Sequence, residues 1–283
     1  MITDNAHIGG VNLRVNDLER SLHFYSHLLG LKQNNSSGNK VSLHSDLKKP
    51  YLVKLVEDKN AKILSPKSPG LYHIAIRIPN RKELGRVFIR LFDFKYKFQG
   101  FSDHLVSESI YLSDPEGNGI ELYADRPKSE WVFKNGQVEM DTIPLNLNVI
   151  TKEVDSSEEW NGIHPETDIG HIHLKVSNIF QAEKFYSNLL GFNVTNSSYP
   201  GALFLSAGGY HHHIGANIWQ SRNVPSPPED SLGLISFSIN IPDKDYLAQI
   251  GKESSGEGLL ISSLESGGLI VKDFDNIKIN LTL

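Results

Sequence analysis

The chain has 283 residues, 39% of them hydrophobic and 22% charged, with a net charge of −5. That balance is globular, and it excludes a general binder of nucleic acid or of anionic membrane surfaces, which needs a basic excess. There is no cysteine. Disulfides, thiolate zinc sites, iron–sulfur clusters and a cysteine nucleophile are therefore excluded. No apolar run reaches transmembrane length, and the opening MITDNAHIGG has no signal-peptide pattern, so a cytoplasmic location is expected. Twelve histidines stand out, three of them consecutive at His211, His212 and His213. Any transition-metal site must use such histidines together with carboxylates.

In chain order, the first element is an alternating strand in which Leu13 and Val15 are set against Asn12 and Arg14. A helix follows, capped by Asn16 or Asp17, with Leu18, Leu22, Tyr25 and Leu29 on one stripe and Gly30 as the stop. The same text returns later. IGGVNLRVNDLERSLHFYSHLLGL, from Ile8, aligns without a gap to IGHIHLKVSNIFQAEKFYSNLLGF, from Ile169, a constant offset of 161 residues with ten identities. A second repeat relates GLYHIAIRIP at Gly70 to GLISFSINIP at Gly233, an offset of 163. Four modules are thus expected, each reading β-α-β-β-β, and the fold class is α+β: two curved mixed sheets with helices outside. Further strands are expected at Lys40–His44, Tyr51–Val56, Ser109–Leu112, Gly119–Tyr123, Ala202–Ser206, His213–Trp219, Leu259–Ser262 and Ile277–Leu281. In sequence the modules form one pair over 7–126 (7–66 and 70–126) and another over 168–283 (168–222 and 232–283). A polar linker at 127–167 separates the pairs, and a proline-rich loop, NVPSPPED, runs from Asn223 to Asp230.

Strand parity selects candidate ligands. His73 lies opposite Ile74, Ile76 and Ile78, and Glu121 lies opposite Ile120 and Leu122. His171 and His173 lie opposite Ile172, Leu174 and Val176. These side chains belong to the face that is not packed on helices. Two histidines and one carboxylate on a concave face make the facial triad that suits non-haem Fe(II), with Mn(II) sharing the same ligand preferences. The repeat positions matching His171, His73 and Glu121 are Gly10, Ser236 and Asn280, so modules one and four offer no such set. Modules two and three are therefore expected to share the metal cavity, with His73, Glu121 and His171 as ligands. A cluster of His171, His173 and His213 is the fallback. His211, His213 and Asn217 share a parity opposite Ile214, Ala216 and Ile218 and are expected to line the same cavity.

The strand-helix openings FYSHLLGL and FYSNLLGF and the closing DPEGNGIEL resemble the vicinal oxygen chelate superfamily, which holds glyoxalase I, bleomycin-resistance proteins and extradiol dioxygenases. The likeness covers nearly the whole chain. HLVSESIYLSDPEGNGIE, His104 to Glu121, resembles the extradiol signature, with Ile110-Tyr111, Asp114-Pro115-x-Gly117 and Glu121 at the family spacing and Ser102 as a departure from it. Together with GLYHIAI, GHIHLKV and YHHHIGANIW, it resembles the bacillary type of catechol 2,3-dioxygenase. The resemblance implies an Fe(II) enzyme that opens a small aromatic diol with O2. It implies that Tyr111 hydrogen-bonds a substrate oxygen, and that His104 or one of His211 to His213, with His213 the candidate, serves as acid and base. Two other readings stay open within the superfamily. One is a glyoxalase-like isomerase or lyase using Ni or Zn, disfavoured because Asn217 stands where a second carboxylate is wanted. The other is a metal-free binder of small molecules. No nucleic-acid or membrane partner is expected, and a homo-oligomer is left open.

Overall fold

A computed structural model describes residues 1–155, 157–265 and 267–283, with side chains for all of these except 35 and 36. Residue 156 of the expected linker and residue 266 of the fourth module lie outside the described residues.

Module one holds β1 (His7–Val15), α1 (Leu18–Leu22), β2 (Lys32–Ser37), β3 (Lys40–His44) and β4 (Val53–Glu57). Module two holds β5 (Gly70–Arg77), α2 (Arg81–Asp93), β6 (Phe98–Asp103), β7 (Ser107–Ser113) and β8 (Gly119–Asp125). The segment expected as a plain linker carries three two-residue strands, β9 (Phe133–Lys134), β10 (Gln137–Val138) and β11 (Ile143–Pro144), and a helix, α3 (Leu147–Lys152). Module three holds β12 (Asp168–Lys175), α4 (Ile179–Glu183), β13 (Asn193–Asn196), β14 (Ala202–Ser206) and β15 (Ile214–Asn217). Module four holds β16 (Gly233–Asn240), α5 (Lys244–Gly256), β17 (Leu260–Ser263), β18 (Leu269–Lys272) and β19 (Lys278–Thr282). The α+β reading and the fourfold β-α-β-β-β order agree with these elements.

By contact the chain forms two compact units, one of residues 1–14, 61–72 and 171–283, the other of residues 15–60 and 73–170. In the first, strands hydrogen-bond in the orders β17-β18-β19-β16-β1 and β12-β15-β14-β13. Here β1 pairs antiparallel with β16, so the opening strands of modules one and four are neighbours. In the second, the orders are β11-β6-β7-β8-β5 and β4-β3-β2.

The FY-x-x-LLG boxes differ from a plain α-helix. After one α-helical turn each passes into a π-helix, His23–Leu28 and Lys184–Leu189, at the same offset of 161. The wider turn is marked by hydrogen bonds across five residues, Leu29 N–H to the Phe24 carbonyl at 3.0 Å and Leu190 N–H to the Phe185 carbonyl at 2.9 Å. Phe24 and Tyr25 are both buried, as are Phe185 and Tyr186, whereas Leu18 and Leu22 of the expected stripe are only half-buried. Asp17 and Asn178 cap the two helices by accepting from backbone N–H groups of the first turn. Gly30 and Gly191 end them at φ of 79° and 81°. A Cβ there would meet Gly162 Cα at 2.6 Å and Ile2 N at 2.7 Å respectively, so both the dihedral and the space require glycine.

Each π-segment tyrosine ties its module to the next. Tyr25 donates to Asp114 Oδ2 at 2.9 Å and Tyr186 donates to Asp273 Oδ2 at 3.0 Å. Both tyrosines are fully buried, and desolvation raises both phenols well above their ordinary pKa. Burial, with Asp275 adding repulsion, pushes Asp273 up to about 7. An acid whose pKa is higher folded than unfolded holds its proton in the native state after the unfolded chain has lost it. Stability therefore falls as pH rises between about 4 and about 7, by up to about 4 kcal/mol for a shift of this size. Thermal melts of the wild type and of Asp273→Asn across pH 4–8 are expected to diverge over that window, the wild type losing stability relative to the variant as pH rises. A pH-independent difference between the two would show that Asp273 stays ionised on its three hydrogen-bond donors.

Candidate metal centre and its surroundings

The second unit presents a polar face built on β5, β8 and β7. Register pairs Ala75 with Glu121 and Glu121 with Tyr111, so His73, Glu121 and Tyr111 share one side of the strands, as parity requires. Their neighbours Ile74, Ile76, Ile120 and Leu122 are fully buried and occupy the other side. His73 and Glu121 are themselves buried, and His73 Nε2 lies 2.9 Å from Glu121 Oε2. Ser109 donates to Glu121 Oε1 at 2.7 Å. One carboxylate oxygen is thus held by a hydroxyl while the other is directed at His73, which fixes the carboxylate plane.

Tyr111 stands on the same face, its ring centroid 5.8 Å from that of His73. Its hydroxyl lies 2.7 Å from His104 Nε2, and His104 Nδ1 lies 2.7 Å from the Asp141 carbonyl oxygen. A carbonyl can only accept, so Nδ1 carries the proton of the neutral imidazole, and Nε2 accepts from the Tyr111 hydroxyl. The Asp141 carbonyl belongs to the segment that the sequence marks only as a linker. It sits beside β11, whose Ile143 pairs with Asp103, one residue before His104.

In the first unit, His171 is 1% exposed on β12, and its ring packs against His212 at 4.0 Å, tilted by 47°, and meets His211 at 6.0 Å. His211 Nδ1 and His212 Nδ1 are 2.7 Å apart, one donating to the other. Two residues along β12, His173 Nε2 accepts from Asn217 Nδ2 at 3.0 Å. The His173 ring meets Tyr72 at 5.0 Å, Phe204 at 5.6 Å and Trp219 at 5.8 Å. Tyr72 and Trp219 are 37% and 48% exposed, so this aromatic wall is open on one side.

The nitrogen or oxygen ligand atoms of His73, Glu121 and His171 all lie within 4.8 Å of one another. Two imidazoles and a carboxylate, all buried and convergent, are a donor set suited to a first-row transition ion. The fallback set of His171, His173 and His213 does not form such a group among the described residues. His213 makes its contacts with β14 and the turn that follows it. Its Nδ1 is 3.0 Å from Ser206 Oγ and accepts from Ala207 N–H at 3.3 Å, and its ring packs on Tyr210 at 4.9 Å. The strand β15 begins only at Ile214, so period-two alternation does not extend back over the histidine run. For the same reason parity passes over His212, the run's member that packs most closely on His171.

Relatives agree with this fold. The family model described as the Glyoxalase/Bleomycin resistance protein/Dioxygenase superfamily matches residues 6–122. A protein of Bacillus subtilis (strain 168) named catechol-2,3-dioxygenase is 40% identical over 269 residues, covering 94% of this chain and 93% of its own. Among solved structures, a putative dioxygenase from Bacillus subtilis superposes with a TM-score of 0.68 at 11% identity, covering 97% of this chain and 84% of its own. Glyoxalase I from Zea mays superposes with a TM-score of 0.60 at 14% identity, covering 98% of this chain and 92% of its own, so both structures speak for the fold alone. With a relative at 40% identity along nearly its whole length, the chain belongs to the glyoxalase/bleomycin resistance/dioxygenase superfamily.

Proposed function

We propose that this protein is an extradiol dioxygenase that opens a small aromatic diol with O2 at a mononuclear Fe(II) held by His73, Glu121 and His171. The observation that carries the reading is that these three buried residues hold ligand atoms within 4.8 Å of one another, with the Tyr111–His104 pair on the strand face of His73 and Glu121. Its name gives the 40%-identical Bacillus relative this activity on catechol. Three protein ligands leave open positions, where Fe(II) would hold a catecholate and O2 side by side and pass electron density between them.

The chain's own residues then have defined tasks. Ser109 keeps Glu121 oriented toward the ion, and burial of all three ligands keeps competing water away. Tyr111 Oη accepts the diol proton as it passes its own to His104 Nε2, and it returns a proton when the opened product needs one. The Asp141 carbonyl holds His104 in the tautomer that leaves Nε2 basic. His104 is therefore assigned the acid and base duty, since His213 Nδ1 accepts from the Ala207 N–H, which leaves the proton of its neutral ring on Nε2. The half-exposed rings of Tyr72 and Trp219, beside His173, offer apolar faces to an aromatic ring. Asn217, rather than a carboxylate, stands against His173, which argues against an isomerase needing a second acidic ligand.

The test is anaerobic reconstitution with Fe(II), Mn(II), Ni(II) or Zn(II), then catechol in air. Oxygen uptake with a yellow ring-fission product is expected for Fe(II). If no loaded form consumes oxygen with simple catechols, the dioxygenase reading fails.

A further inference from the structure

The repeat places a second polar face on modules one and four, and its chemistry differs from that of the metal centre. Ser236 and Asn280 stand at the positions of His73 and Glu121. Asn12 donates to Ser236 Oγ at 2.8 Å, and Asn280 approaches the same oxygen at 3.3 Å. This neutral set offers neither imidazole nor carboxylate to a transition ion. The register partner of Ser236 is Lys278, and the partner of Lys278 on the next strand is Lys272. Both lysines, with Arg14, line a cavity of about 470 Å³ at the N-terminal end of β16. Its size is that of a small-molecule site.

The lining is amphipathic in a definite way. Ten of its eighteen residues are leucine, isoleucine or proline, among them Leu64, Leu71, Leu234, Ile261 and Pro227. Three cations and two carboxylates, Glu229 and Asp275, also line it, so the lining carries 3 − 2 = +1. Asp275 Oδ2 is engaged by the Ser177 N–H at 2.8 Å. Glu229, 79% exposed at the end of the proline-rich loop, forms an ion pair with Lys278. Lys272 has no ion-pair partner among the described residues. A carboxylate on a mobile-length side chain already satisfies one lysine at the cavity mouth, beside a second lysine and apolar walls.

We propose that this cavity is a binding site for small organic monocarboxylates. The ligand's carboxylate sits between Lys272 and Lys278, in place of Glu229, and its apolar body lies on the leucine, isoleucine and proline walls. A net lining charge of +1 matches a monoanion, and the apolar walls offer a hydrated inorganic anion nothing. Its lining includes none of the proposed metal ligands, and binding here does not depend on their chemistry.

Isothermal titration of the full-length, metal-loaded protein with benzoate tests this. Benzoate is expected to bind with a Kd at or below about 1 mM, and acetate and inorganic phosphate at least tenfold more weakly. Lys272→Met is expected to weaken benzoate at least fivefold, while Glu229→Gln, which removes the competing carboxylate, strengthens it two- to fivefold. Opposite responses to these two variants distinguish this cavity from benzoate binding at the metal. Equal affinity for benzoate and phosphate, or for benzoate and neutral benzyl alcohol, would overturn the proposal. So would wild-type affinity in both variants, or no binding of benzoate.

Discussion

Replacing Glu121 with alanine is expected to abolish metal binding and ring cleavage together. Glu121 is the only carboxylate in the buried His/Glu/His group, so its loss leaves two neutral imidazoles and no anionic ligand for a divalent ion. Loss of an outer-shell partner alone costs roughly 10–100-fold in metal affinity, and loss of the ligand itself is expected to exceed that. Alanine also strands the Ser109 hydroxyl that now donates to the carboxylate, at a cost of about 1–3 kcal/mol in a buried site. Glu121→Gln keeps the shape and most of the hydrogen bonding, so it separates loss of the ligand charge from loss of fold. Metal content after dialysis, read by mass spectrometry beside a thermal melt, is the measurement. A Glu121→Gln protein that melts like the wild type but retains no metal is the expected result. Full iron and full turnover in that variant would move the metal site elsewhere. Ser109→Ala should sit between the two, with metal weakened by about 10–100-fold.

Replacing Tyr111 with phenylalanine is expected to leave iron content intact and to lower kcat by roughly 10²–10⁴, the range for loss of a positioned proton-transfer group. The phenol is the group on the polar face that touches His104, so removing it cuts the path from substrate oxygen to His104 Nε2. Because the two residues act as one relay, a Tyr111→Phe, His104→Phe double variant should be little worse than either single one. Additive losses would mean that the two act on different steps. An unchanged kcat in Tyr111→Phe, with normal iron, would remove the phenol from the chemistry altogether.

The sequence carried much of this. The 161-residue repeat and the alternation at His73, Glu121 and His171 depend only on local period, and a strand's period of two is insensitive to what packs on it. The Tyr111 and His104 spacing was likewise legible, because both lie within one hairpin-scale segment. The FY boxes carry the pattern of an ordinary helix, since a π-turn has no strong sequence period of its own. Only the packed structure shows it, through the five-residue Leu29–Phe24 and Leu190–Phe185 backbone bonds and the Tyr25–Asp114 and Tyr186–Asp273 hydrogen bonds that span 89 and 87 residues.

What the sequence determined by itself was the module, the face on which each polar side chain stands, and the absence of metal ligands at Gly10, Ser236 and Asn280. What tertiary structure decided was which polar groups meet. His213 is drawn to Ser206 and Ala207, His212 instead packs on His171, and the Asp141 carbonyl of an irregular segment sets the tautomer of His104. The physical reason is that alternation holds only while the backbone is a strand. Residues 211–213 precede β15, and Asp141 precedes β11, so their directions follow from long-range packing and hydrogen bonding, which local period does not encode.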